Sequence, residues 1–576
     1  MRTDAPSTSR DDEAASEVRS TLRRFGVQRV RPWLAEALAA DGFERPSAIQ
    51  EAAMPRIARR EDVVIHAHTG SGKTLAFLVP LLSRLEPRTP LQLLLLAPSR
   101  ELALQLAAQL ESLVAPAPAA SRLRLSLVVG GVAEGGELTQ RRELEHRAGE
   151  VVVATVDALR RVLDVGRDDG FGGGRKLELR LASNLDAIVL DEVDALLPPP
   201  ALRGQAVYRR KDWAKAGKDA RRMARRKVGA APLLRRIARA LEVVGTERRR
   251  PPQIVGASAT VSRGLLLQLR EALDPDFVGR HTRDTRALRQ LPAVVGVPER
   301  LLRRESAGRG VAGVGVPTEL RHWIATSPAP QTPEGVAAAL RTLQAETPAR
   351  GALVVLPDRE GVSLNAWIDA LRRAGLAHAE PLHGAMGFPT PGAPMLGAKA
   401  TPKLLRAYRQ LGARDGDDDG AADAATDAPS RLLVTTEASC RGIDVRAIDI
   451  VLMLFCPNTA DKYVHLAGRA GRGDAVPRPG TVLMLVEDDE ARRVGMLTSQ
   501  LQISVRRHAP LERELTEMWA MTAPAEEDGF EEDGFEAPFT MEEADELYRP
   551  KLSPKVEAPF TAEEADALYR IARSIK

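Results

Sequence analysis

Eight consecutive residues carry the clearest chemistry in this chain: Ala67-His68-Thr69-Gly70-Ser71-Gly72-Lys73-Thr74. Their spacing is that of a Walker A phosphate loop, with Ala67 in the first glycine position. The apolar run Val63-Val64-Ile65 precedes it and the helical pattern from Leu75 to Leu82 follows, so the loop turns from a strand into a helix. Backbone N–H groups and the positive helix end at such a turn cradle phosphate. Lys73 is placed to neutralise β- and γ-phosphate charge, and the Thr74 hydroxyl to ligate Mg2+. A second cluster, Asp191-Glu192-Val193-Asp194, follows the apolar run Ala187-Ile188-Val189-Leu190. Parallel sheets keep their chemistry at the carboxyl ends of their strands. Asp191 there can hold Mg2+ through water, and Glu192 can orient and polarise an attacking water. ATP and Mg2+ are the ligands this pair of sites calls for.

Strands must hold those groups. Short continuous apolar runs recur at 63–65, 93–96, 125–129, 151–153, 187–190 and 254–257, and again at 352–356, 432–434, 450–454 and 481–486. Such runs suit strands covered on both faces, and helix patterns between them call for parallel βαβ crossovers. The expected class is α/β with parallel sheets. The expected division is a disordered N-terminus at 1–24, a first domain at 25–296, a Gly- and Arg-rich linker at 297–320, a second domain at 321–505 and a C-terminal extension at 506–576. No run of 18 apolar residues marks a membrane span.

Charge is distributed unevenly although the net value is only +4. Residues 202–250, read as a basic insertion with a helix near 232–243, hold 17 Lys/Arg against 4 Asp/Glu. Residues 522–570 hold 4 against 15. The first block suits a polyanion and the second a solvated tail; 413–430 reads as an acidic surface loop. The tail repeats itself: EAPFTMEEADELYR at 536–549 returns as EAPFTAEEADALYR at 557–570. Each copy can form a short amphipathic helix, which fits a docking peptide for a protein partner, a competitor of RNA for the basic block, or a solubilising tail. Two cysteines, Cys440 and Cys456, exclude a disulfide scaffold and suit a reducing compartment. The N-terminus carries five acids in its first 17 residues, unlike an organelle transit peptide.

With these motifs in this order, from about Phe25 to about Glu487, the chain resembles the DEAD-box RNA helicases, with Asp191-Glu192-Val193-Asp194 in place of Asp-Glu-Ala-Asp. Residues 42–50 (GFERPSAIQ) resemble the family's Q motif, and Phe25 stands 17 residues before Gly42. The resemblance implies two tandem RecA-like domains with ATP between them. It implies that Phe25 stacks on adenine and that Gln50, whose amide both donates and accepts, reads the adenine edge. It makes Pro98, Arg100, Gly130, Gly131, Thr155 and Thr436 contacts to an RNA backbone. It makes Asp194, Ser258, Thr260 and His465 couplers of ATP state to strand separation. Gly442 and Asp444 fall in a motif that meets nucleotide. Arg469 and Arg472 take the arginine-finger positions, three residues apart and so on one face of a helix.

Two departures stand out. The family's Thr-Pro-Gly-Arg reads Thr155-Val156-Asp157-Ala158 here, so the arginine is missing; Arg160 and Arg161 are the nearby candidates to replace it. Leu466 replaces the first arginine of the last motif. The functional expectation is RNA-stimulated ATP hydrolysis coupled to local duplex unwinding by a monomer. The alternative is an ATP-dependent RNA clamp with little turnover, and a DNA translocase of the same superfamily is a third reading. Deleting 203–230 is expected to weaken RNA binding with little change in nucleotide binding, read by titrating labelled RNA and labelled nucleotide against both proteins.

Overall fold

The computed structural model describes residues 23–67, 70–131, 136–165, 173–197, 229–244, 251–259, 261, 263–273, 292–296, 320–347, 349–358, 363–389, 400–413, 431–440, 443, 445, 448–471, 480–501 and 503–522. Residues 1–22 of the expected N-terminal segment, most of the linker, the acidic loop beyond Ala413, most of the basic block and the tail repeats lie outside the described residues, whereas Arg23 and Arg24, expected to be disordered, belong to a strand.

Two short strands, β1 (Arg23–Phe25) and β2 (Gln28–Val30), form an antiparallel hairpin. The first lobe then builds one sheet from β3 (Val63–His66), β4 (Leu93–Ala97), β5 (Leu125–Val128), β6 (Val151–Thr155), β7 (Ala187–Asp191), β8 (Gln253–Ser258) and β9 (Ala293–Val295). Their order is β5-β6-β4-β7-β8-β3-β9, with every pairing parallel. The apolar runs explain this. In β4, Leu93, Leu95 and Ala97 enter one core while Leu94 and Leu96 enter the core on the opposite face, so all five residues are buried.

The second lobe repeats the plan with β10 (Arg321–Thr326), β11 (Gly351–Leu356), β12 (Ala379–Pro381), β13 (Arg431–Thr436), β14 (Ile450–Met453), β15 (Thr481–Val486) and β16 (Arg506–Arg507). The order is β12-β13-β11-β14-β15-β10-β16, again all parallel. The α/β unit does not stop at 505. β16 pairs with β10, and the helix Ala509–Thr522 buries Leu511 and Leu515 in the core of this lobe. Glu512 fixes that helix by accepting from the N–H of Thr326, 3.0 Å, and from Arg507 Nε, 3.0 Å.

The basic block is not all insertion. Residues Ala231–Val244 form a helix whose Leu233, Leu234 and Ile237 are core residues of the first lobe. Ala230 is also buried, and its N–H donates to Leu196 O at 2.7 Å. A deletion that tests the basic block therefore has to end at 228. The lobes touch: the helix Arg100–Val114 of the first packs against the helix Ala400–Ala413 of the second, and Glu111 pairs with Arg409. Among the described residues no helix is long and apolar enough to cross a membrane.

Candidate functional site

In the first lobe the phosphate loop leaves β3 with its backbone still tied to β8, since the Ala67 N–H donates to Ser258 O at 3.2 Å. Gly70 and Gly72 take the left-handed conformation, at φ 83° and 93°. Gly72 has a second reason to lack a side chain: a Cβ there would lie 2.4 Å from Gln50 Nε2. That amide donates to Gly72 O, 3.1 Å, while Gln50 Oε1 accepts from the N–H of Ser47, 2.9 Å, and Ser47 Oγ donates to Ser71 O, 2.9 Å. The helix Ala48–Ala58 is thereby fastened to the loop by its own N-terminal capping residues. Lys73 begins the helix Lys73–Leu82, is buried, and donates from Nζ to Ala67 O at 2.8 Å. Thr74, next to it, is half-buried. His68 and Thr69 lie outside the described residues.

β7 delivers the acids. Asp191 ends the strand and Glu192 turns out of it at φ 52°, a left-handed conformation that costs a non-glycine residue roughly 1 kcal/mol or more. The Glu192 N–H donates to Asp191 Oδ1 at 3.1 Å. Both carboxylates are buried, and Glu192 Oε2 has no hydrogen-bond partner. Burial, and next the Glu192 charge, push the Asp191 carboxyl up to about 7 against the opposing pull of Lys73. Two residues on, Asp194 Oδ1 accepts from Ser258 Oγ at 2.8 Å. Ser258 thus holds the phosphate loop with its carbonyl and the acidic motif with its hydroxyl. Thr260 lies outside the described residues.

The second lobe meets these acids with His465, from the helix Ala460–Ala467. Its Nε2 stands 3.8 Å from Glu192 Oε2, and Glu192, Asp194 and His465 bring one ligating atom each within 4.8 Å of one another. The helix ends at Ala467, so Arg469 sits in the turn behind it rather than on a helical face, as the spacing had led one to expect. Its guanidinium is fully buried. Nε donates to His465 O at 2.8 Å, one Nη donates to Ile443 O, and Nη2 has no hydrogen-bond partner. Leu466 is part of the apolar core. Arg472, Gly442 and Asp444 lie outside the described residues. Thr436 ends β13, and its hydroxyl donates to Asp358, a carboxyl raised by burial and by Glu437; Glu437 in turn pairs with Lys462.

Three neighbouring strands of the first lobe carry the residues assigned to RNA at their carboxyl ends. Pro98 and Arg100 follow β4, Gly130 and Gly131 follow β5, and Thr155 ends β6. Arg100 lies 4.8 Å from the centroid of the Phe388 ring in the second lobe, and its charge helps burial lower the nearby His383 to about 4. Phe25 is buried in the core, with Gly26 turning over the ring of Pro46. Sequence reasoning missed Phe388, His383, Asp358 and the role of Ser47. Only the last had a signal, the Ser47-to-Gln50 capping-box spacing.

Two parallel α/β lobes, with a triphosphate-type loop and paired acids on one facing a histidine on the other, define a protein of tandem RecA-like domains. The model for the DEAD/DEAH box helicase domain matches residues 47–209, and that for the helicase conserved C-terminal domain matches residues 417–474. The chain is 27% identical over 497 residues to DEAD-box ATP-dependent RNA helicase 47A of Oryza sativa subsp. japonica, spanning 82% of this chain and 73% of that relative. It is 27% identical over 482 residues to the ATP-dependent RNA helicase MAK5 of Ajellomyces capsulatus, at 80% and 53%. Among solved structures it is similar to Mss116p bound to ssRNA and AMP-PNP, with TM-score 0.56, 16% identity and coverage of 85% and 80%. It is also similar to S. cerevisiae Dbp5 bound to RNA and ADP BeF3, with TM-score 0.53, 19% identity and coverage of 85% and 97%. The chain carries a DEAD/DEAH box helicase domain and a helicase conserved C-terminal domain, and the relatives it resembles are ATP-dependent RNA helicases.

The raised Asp191 carboxyl has a measurable consequence. An unfolded aspartate loses its proton near pH 4, whereas the native one keeps it to about 7. Folding stability in EDTA should therefore fall as pH rises through that window and level off above it. Asp191→Asn should flatten the slope, read as the difference between denaturant melts of the two proteins from pH 5 to 8.

Proposed function

We propose that this chain is an ATP-dependent RNA helicase, in which RNA-stimulated hydrolysis of ATP drives local duplex separation or remodelling of an RNA–protein complex. The observation that carries this reading is the approach of His465 to Glu192 across the lobes, 3.8 Å, with Asp194 in the same cluster. It brings the second lobe onto the carboxylate that faces an attacking water.

The residues present fit a nucleotide and its metal. Asp191, Glu192 and Arg469 are buried ionisable groups, the last two each with an atom that has no hydrogen-bond partner among the described residues. Lys73 binds the β- and γ-phosphates once it releases Ala67 O, and Thr74 and Asp191 would hold Mg2+. That ion would supply charge neutralisation between the phosphates. Glu192 orients the water and takes its proton. Arg469 Nη2, with Arg472, stabilises charge on the transferring phosphoryl group. Phe25, Gln50, Gly442 and Asp444 are the nucleoside contacts. Pro98, Arg100, Gly130, Gly131, Thr155 and Thr436 contact the RNA backbone, so affinity falls steeply with salt and depends little on base sequence.

Neither lobe holds a complete site, so closure is the event that RNA and ATP share. Both ligands favour the closed state by binding it better than the open one. One observation favours the clamp reading with little turnover: Leu466 is sealed in the core and offers no charge to the opposite lobe.

Phosphate release with RNA, with DNA and with neither separates these readings: a helicase is stimulated by RNA, a DNA translocase by DNA, and a clamp turns over slowly throughout. Glu192→Gln should cut turnover by ~100-fold or more while ATP binding, followed with a fluorescent analogue, stays within experimental error of wild type. Full turnover by that variant would refute the assignment of Glu192.

A further inference from the structure

The missing arginine of the Thr155-Val156-Asp157-Ala158 segment leaves the carboxyl edge of β6 without a cation of its own. The helix that follows, Val156–Asp164, buries Val156, Ala158, Leu159, Val162 and Leu163 and turns Asp157, Arg160 and Arg161 outward. The two arginines behave differently. Arg160 bonds back to Asp157 on its own helix, 3.3 Å. Arg161 reaches across to the loop after β5, where its Nη2 lies 2.6 Å from the position a Cβ on Gly130 would take. No other residue type at 130 leaves that guanidinium where it is. Gly131, at φ 78°, has nothing within 4 Å of its own would-be Cβ, so the glycine pair presents an open backbone face with a cation beside it.

Arg161 is held there by one carboxylate: its Nε donates to Glu137 Oε1 at 2.7 Å, and both side chains are about half exposed. A guanidinium engaged through Nε keeps its outer nitrogens for a second anion, and phosphate matches their fork. β5, β6 and β4 are adjacent in the sheet, so Gly130, Arg161 and Arg100 share one edge. Arg100, at the same edge, pairs with Glu101, 3.1 Å, and lies over the Phe388 ring.

We propose that Arg161 is a phosphate-contacting residue of the RNA track, seated on Gly130, and that Glu137 competes with RNA for it. The proposal rests on the helicase reading and adds to it a residue and a built-in competitor. An exposed Arg–carboxylate pair is cheap to open, so exchanging the carboxylate for a phosphate costs little.

The test is binding of a fluorescein-labelled single-stranded RNA to the full chain with a non-hydrolysable ATP analogue, over a range of KCl. Arg161→Ala should weaken binding roughly ten-fold and reduce the slope of log affinity against log salt by about 0.7, one phosphate's share on a single strand. Arg161→Lys should recover part of the affinity, and Arg160→Ala should match wild type. Glu137→Gln should tighten binding several-fold, and this variant tests the same contact without removing the arginine. Unchanged affinity and slope in Arg161→Ala, beside a wild type that binds, overturns the assignment of Arg161 alone. Equal losses in Arg161→Ala and Glu137→Gln overturn it too, because they make the pair a structural bridge between helices. A wild type that fails to bind RNA removes the helicase reading and this proposal together.

Discussion

The structure turns on a buried acidic strand end that one lobe cannot satisfy alone. Asp191 and Glu192 leave β7 with both carboxyl groups buried, and Lys73 in the same lobe opposes the rise that burial imposes on Asp191. Burying like charges side by side is costly, and an opposite charge repays the cost only at close range. The second lobe brings His465 to that point and Arg469 behind it. The acids of one lobe and the histidine of the other thus form one cluster.

Ser258 makes this arrangement sensitive to what occupies it. Its carbonyl holds the root of the phosphate loop and its hydroxyl holds Asp194, which lies beside His465. The phosphate loop and the acidic motif thus share one residue at the end of β8. Gln50 does similar work from the outside, since its amide bonds the loop backbone and its own helix start together. A base read by that amide would pull on the loop directly.

Leu466 is core rather than a cross-lobe cation, and contact between lobes is carried elsewhere, by Arg100 over Phe388 and by Arg409 with Glu111. Both contacts lie on the helix Arg100–Val114, one at each end of it.

The ten apolar runs legible in the sequence are all strands, because a strand buried on both faces must be apolar throughout. The strands that escaped notice are short or lie toward sheet edges. β9 has three residues and β16 two, and β1, β2 and β16 are paired largely by main chain, which leaves little side-chain signature. β10 begins Arg321-His322-Trp323 and looks polar, since its alternate residues face different surroundings. The phosphate loop, the acids and the order of motifs were determined by sequence, because local spacing alone shapes a loop or a strand end. Tertiary structure alone decided that Gln50 is locked to Gly72, that Arg161 rather than Arg160 reaches Gly130, that residues 231–244 are core, and that Phe388 covers Arg100. Each joins segments far apart in the chain or depends on which way a side chain turns. No pattern of neighbouring residues encodes that; the packing of one element on another does.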